Sequence, residues 1–460
     1  MAKKELGHQE HSKKMETLGI VDKLTRPIKV VFLGAGSAFF EALFKDVMCI
    51  PGADKGEMAI VDIDKDRLKL AKALGQKILD LMGKDKWKLT ATDERRKALK
   101  DADYIINCIE VSGVACVRFD NDIPKKYGID QCIGDTIGPG GLFKALRTVP
   151  VFLEVLKDVE EICPAALVLN YTNPMSIMCL AAARTSPVNV IGLCHSVQGS
   201  SHQLASYTGV PYHELTWRCG GINHLAWFTE LSHSGKDLYP ELKRKARTDK
   251  KLLEKDPVRL DLMQYFDHFV TESSGHFSEY LPYYRKRQDL IDKHCREGYL
   301  GGSSFYADNW PTWRKNNDQN RRDKIAGKLP IAMDRTWEYA SHIIQAIETN
   351  NPFIAHLTVP NTGLIENLPQ DGVVEVGCVL DRRGVTPTYF GPLPQQCAAL
   401  CDWHMRMYDL AADACIFKCR DLAAKALMLD PLSAAVCSPE EIKKMTEELF
   451  KAEKKFLPGF

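Results

Sequence analysis

The stretch KVVFLGAG (Lys29–Gly36) is a β-branched apolar run that ends on two glycines one residue apart. A run of this kind reads as a strand buried on both faces, with a helix expected after the turn. The alternation then repeats. MAIVDID (Met58–Asp64), ADYIINCIEV, AALVLNYTNP and NVIGLC read as strands, while DRLKLAKALGQKILDLM, RTVPVFLEVLKDVEEIC and SIMCLAAARTS read as helices. Strands alternating with helices specify an α/β chain, here a Rossmann-like doubly wound parallel sheet over residues 28–197. Residues 198–460 are more mixed. HLTVPN and DGVVEVGCVLD read as sheet and PLPQQCAALCDWHMRMYDLAADAC as long helix, so a second, α+β domain is expected there. Residues 1–27 are polar and lysine-rich and read as a mobile extension or an oligomer arm.

Composition narrows the function classes. The chain has 460 residues, 45% apolar and 26% charged, with a net charge of +1. That balance gives no pull toward nucleic acid or an anionic membrane. No apolar run reaches the length of a membrane span, and the first residues lack a secretory signal. A cytoplasmic homo-oligomer, dimer or tetramer, acting on a small molecule is the expectation. The 15 cysteines show no framework spacing and no CxxC, so free thiols in a reducing compartment are expected.

Four stretches carry chemistry. In GAGSAFF, Gly34 and Gly36 are the first two glycines of a dinucleotide fingerprint, and Phe39 stands where the third would be. The first two permit a tight turn and close approach to a pyrophosphate, with Ser37 beside them. Asp62, 26 residues after Gly36, ends the second strand. An acid there suits the ribose hydroxyls of NAD and repels a 2′-phosphate. A plain turn is the alternative. In GDTIGPGG, Asp135 is the charged side chain of a loop that either curls around a ligand or is a structural turn. In NYTNPM, Asn173 follows a strand, where it either holds a sugar or ribose hydroxyl or caps the next helix. In VIGLCHSVQG, Cys194 and His195 end another strand, and GGINH places His224 about thirty residues on. A thiolate and an imidazole with open positions suit a divalent transition metal, although core packing explains single Cys and His residues as readily.

In order and spacing, GAGS, NYTNPM, GLCHSV and GINH resemble the NAD- and metal-dependent glycoside hydrolases of family 4. The resemblance continues through TIGPGGLFKALRTVP, FVTESSGHFSEYLPYY and GLIENLPQDGVVEV, spanning nearly the whole chain from Lys29. It implies that Cys194 and His224 ligate a metal, Mn²⁺, and that His195 and Asn173 lie beside the sugar. It also implies a route unlike two-carboxylate hydrolysis. NAD oxidises the sugar at carbon 3, a base removes the proton from carbon 2, the aglycone leaves, water adds, and the bound NADH reduces the ketone. CHSV resembles the α-galactosidase branch; α-glucosidase and α-galacturonidase or glucuronidase specificities are the alternatives. The usual family base, Asp or Tyr, is absent at the matching place, Ser274-Gly275-His276. Asp267, His276 and Tyr280 are the candidates, with His276 favoured, and Asp135 and His195 compete as the acid. A 2-hydroxy acid dehydrogenase would share the sheet without needing Cys194. A non-catalytic dinucleotide sensor would need neither Cys194 nor His224.

Overall fold

A computed structural model describes residues 15, 17–21 and 23–460. Six parallel strands build its first half: β1 (Ile28–Leu33), β2 (Gly56–Val61), β3 (Trp87–Thr92), β4 (Tyr104–Asn107), β5 (Leu167–Asn170) and β6 (Val190–Leu193). Their order across the sheet is 3-2-1-4-5-6, all neighbours parallel. This is the doubly wound Rossmann arrangement, with ligands expected beyond the carboxyl ends of the strands. Val30, Val31 and Phe32 of β1 are fully buried, as a central strand covered by helices on both faces requires. β3 escapes the sequence reading. WKLTAT sits at the sheet edge with one buried residue and mixed polarity, so it lacks the apolar run that marks the others.

The second half does not form a layer of its own. β7 (Leu215–Ile222), β8 (Leu225–His233), β9 (Lys236–Asp237), β10 (Phe269–Val270), β11 (Phe353–Pro360), β12 (Val373–Asp381) and β13 (Gly384–Pro387) join the same sheet, giving 13 strands. β11 lies antiparallel against β6, with Leu357 opposite Leu193. The boundary expected at 197/198 falls inside the helix Ser196–Thr208. The larger buried core takes residues from Leu24 to Leu457, and a second, smaller one gathers residues between Val197 and Phe269. The halves are joined by the antiparallel β11: it continues the hydrogen-bond ladder of β6, which would otherwise be an unpaired edge.

Two further expectations change. The helix read from Arg147 begins at Gly138, with Pro139 in its first turn, so GPGG is a helix start and not only a loop. The N-terminal segment is docked where it is described. The Val21 N–H donates to Thr349 O and Leu24 N–H to Pro51 O, both at 2.8 Å. Leu24 is buried, and Arg26 bridges Asp103 and Glu348. The rest of the extension, residues 1–14, 16 and 22, lies outside the described residues. No helix among the described residues is long and apolar enough to cross a membrane.

Candidate functional site

The glycine turn follows β1. Gly34 has φ +84°, and a Cβ there would lie 2.4 Å from the Cys108 carbonyl oxygen. Positive φ and lack of space both demand glycine. The Gly36 N–H donates to Asp62 Oδ2 at 2.6 Å, and Asp62 Oδ1 accepts from Asp64 N–H at 2.8 Å. Asp62 therefore sits under the turn, where the fingerprint requires an acid. Phe39, in the third glycine position, packs its ring 5.6 Å from that of Tyr171. The Ser37 N–H donates to Gly34 O at 2.9 Å. Sequence reasoning missed Arg321. Its buried guanidinium donates to the carbonyls of Ala35 and Ser37, and Arg67 pairs with Asp318 at 3.0 Å. The helix Phe305–Ile325 thus runs along the turn. In the sequence this stretch is only a charged run, which reads as a solvated face.

Cys194 follows β6 directly. His224 occupies the two-residue turn between β7 and β8, with φ +63°. Glu272 follows β10 with φ +76°. A positive φ at two non-glycine residues is uncommon and is held here by the surrounding structure. One donor atom from each of the three lies within 4.8 Å of the others, and His224 Nε2 is 3.4 Å from Glu272 Oε2. Burial pushes the Cys194 thiol up to about 11, with Glu272 adding to the effect; the Ser196 hydroxyl and N–H oppose it. Burial also disfavours ionised Glu272, but the imidazoles of His224 and His276 outweigh it and bring the carboxyl to about 2. A thiol, an imidazole and a carboxylate form a donor set that fits a borderline divalent ion. The lining fits too. Glu375 and Asn223 are buried beside Cys194 and His224 and make no well-formed hydrogen bond, although the Asn223 amide lies close enough to oppose the rise of the Cys194 and Glu375 groups. Buried polar atoms normally have partners, and here a hydrated ion or sugar hydroxyls would supply them. Glu272 was missed because TESSG carries no ligand spacing; the β10 turn alone brings it to His224.

The other predicted residues fall at varying distances from this cluster. His276 is buried, its ring centroid 5.0 Å from that of His224. Asp135 lies within electrostatic reach of His276. Lys144 Nζ stands 3.1 Å from both Asp135 and Glu110. Burial would raise Asp135, but Lys144 beside it holds it well below the usual carboxylate range. Burial pushes Glu110 up instead. An ionised Asp135 carries no proton to give, which counts against it as the resting acid. His195 is exposed at the start of the helix after β6, its Nδ1 3.8 Å from Glu338. Asn173 is half-buried at the end of neighbouring β5. Tyr280 is buried, its hydroxyl 3.4 Å from His224 Nδ1. Asp267 is turned to the surface and pairs with Lys243, so it does not join the site.

Sheet, glycine turn and donor cluster together define a Rossmann-type α/β protein whose Cys194–His224–Glu272 cluster fits a divalent ion. The family model described as family 4 glycosyl hydrolase matches residues 29–210, and that of the family 4 glycosyl hydrolase C-terminal domain matches residues 219–433. An α-galactosidase of Bacillus subtilis (strain 168) is 39% identical over 438 residues, 94% of this chain and 99% of its own. An α-galactosidase of Rhizobium meliloti (strain 1021) is 36% identical over 440 residues, 94% of this chain and 89% of its own. The chain belongs to glycosyl hydrolase family 4. Among solved structures, a 6-phospho-α-glucosidase from gut microorganisms in complex with NAD and Mn²⁺ shares the fold. Its TM-score is 0.78 at 22% identity, covering 94% of this chain and 99% of its own.

Proposed function

We propose that this chain is an α-galactosidase that uses NAD and Mn²⁺. The observation that carries the reading is the Cys194–His224–Glu272 cluster, facing His276 at the edge of a Rossmann sheet, in a chain similar over nearly its full length to two α-galactosidases. In this reading Gly34, Gly36, Ser37 and Asp62 hold NAD: the turn presents backbone N–H groups to the pyrophosphate and Asp62 accepts the ribose hydroxyls. Cys194 and His224 hold Mn²⁺, with Glu272 as a third donor. When bound, NAD takes and returns the hydride of sugar carbon 3, and Mn²⁺ polarises the oxygen there. Asn173 and His195, at the ends of adjacent strands, orient the sugar. His276 takes the proton from carbon 2. Asp135 stays ionised beside Lys144 and stabilises the positive charge His276 then carries. His195, exposed and 3.8 Å from Glu338, protonates the leaving oxygen. All 15 cysteines are free, which fits a reducing compartment, and the reading includes a cytoplasmic homo-oligomer.

Hydrolysis is expected of melibiose and 4-nitrophenyl α-galactoside over α-gluco, 6-phospho and uronic glycosides. Run in D₂O, the released galactose should carry deuterium at carbon 2. A preference for phosphorylated or uronic substrates would overturn the specificity. Product without that deuterium, from substrate showing no isotope effect at carbon 2 or carbon 3, would overturn the redox route. Activity that survives EDTA and reduces NAD stoichiometrically would instead mark a dehydrogenase.

A further inference from the structure

His276 is held by a partner that no motif pointed to. Its Nδ1 lies 2.6 Å from Glu279 Oε2, and both side chains are buried. The other carboxyl oxygen of Glu279, Oε1, accepts three backbone N–H groups: Cys132 at 2.8 Å, Ile133 at 3.1 Å and Gly134 at 3.0 Å. Opposite, His276 Nε2 is buried without a partner; the ring lies 5.0 Å from that of His224 and within electrostatic reach of Asp135 and Glu272. One side of the imidazole is therefore tied down and the other makes no hydrogen bond.

Resting on the glycosidase reading above, we propose that Glu279 is a positioning residue that keeps the proton of His276 on Nδ1, so that bare Nε2 faces the substrate as the base. With three N–H donors on Oε1, Glu279 serves as a hydrogen-bond acceptor, so the proton it shares with the imidazole lies on Nδ1. A neutral imidazole with Nδ1–H has an acceptor lone pair at Nε2. In the step, the carbon 2–hydrogen bond breaks, the proton joins Nε2, and the electron pair moves toward the oxidised carbon 3 and its oxygen. Charge developing on the ring is met by Glu279 behind it. Glu279 also joins the segment before Asp135 to the helix that carries His276, so the two side chains keep their separation as the site fills.

The triple acceptor role makes the test sharp. Three N–H donors at Oε1 demand an oxygen there. In Glu279→Gln the amide oxygen is kept at that place, and the amide NH₂ is turned toward Nδ1. Nδ1 must then accept, and the ring proton moves to Nε2. The variant should fold and bind Mn²⁺ like the native enzyme, with KM nearly unchanged. Its kcat should fall by about 10²–10⁴-fold, the range of one general base, and the isotope effect from deuterium at carbon 2 should grow. Nitrogen-15 spectra of histidine-labelled protein, with diamagnetic Mg²⁺ in place of Mn²⁺, give a readout free of catalysis. The native His276 proton should be on Nδ1 and the variant's on Nε2. Native kcat in Glu279→Gln, or a native enzyme protonated at Nε2, would overturn the proposal. If Glu279→Gln fails to fold, the native tautomer still decides. If no galactoside is hydrolysed, the substrate reading falls while the tautomer measurement continues to judge Glu279.

Discussion

Cys194 shows how one residue's chemistry depends on its neighbours. With its thiol raised to about 11, it is protonated near neutral pH unless a cation takes the place of the proton. Binding of Mn²⁺ is then coupled to release of a proton, and the site should weaken as pH falls. Cys194→Ser replaces a soft donor with a hard, weak one and should lower Mn²⁺ affinity by at least about tenfold. Glu272→Gln removes the charge from the third donor and should lower it similarly, with little change in thermal midpoint. Isothermal titration with Mn²⁺ and a melting curve check both. Native affinity in Glu272→Gln would remove that residue from the ligand set. Cys194 and His224 stood out in the sequence because GLCHSV ends a recognisable strand and because GLCHSV and GINH carry the family resemblance in order and spacing. Glu272 did not, because the fold alone brings it to His224, and Glu279 did not, because the backbone that anchors it, Cys132 to Gly134, lies far away in sequence.

Elements place these groups, and their ends carry separate costs. The helix Pro431–Val436 is capped by Asp430, whose Oδ2 accepts the Ser433 N–H at 2.8 Å. Asp430 is fully buried and its Oδ1 has no partner. Burial raises its carboxyl to about 6, against the opposing hydrogen bonds from Ser433. The folded value exceeds the unfolded one, so the fold prefers the protonated form. Stability from this group is whole below about pH 4 and is lost as pH rises through 6, at a cost of about 3 kcal/mol for a shift of roughly two units. Asp430→Asn keeps the capping oxygen without the charge. It should stabilise the protein at pH 8 by about 1–3 kcal/mol and give no gain at pH 4. Urea unfolding at both values measures this, and an equal effect at the two would show that charge is not the cause.

Across the whole molecule, the docked segment before β1 ties the two halves of the sequence together. Arg26 reaches Asp103 and Glu348, and Leu24 is buried beside Pro51. Leu24→Ala should cost about 2–4 kcal/mol and lower the thermal midpoint while leaving kcat unchanged; a loss of kcat with an unchanged midpoint would contradict a purely structural role. Five of the six parallel strands, the glycine turn and the strand-end positions of Asn173, Cys194 and His195 were determined by the sequence alone; edge strand β3, with one buried residue, was not. They are local: apolar period, β-branched runs and glycines act within a few residues. Only the tertiary structure decided that β11 and β12 extend the same sheet, since strand pairing joins segments over 150 residues apart. It alone decided that Arg321 grips the glycine turn, that Glu272 completes the donor set, and that Glu279 fixes the face His276 turns to the site. Each of these depends on burial and on buried polar groups finding partners across the fold, and neither has a period or spacing along the chain.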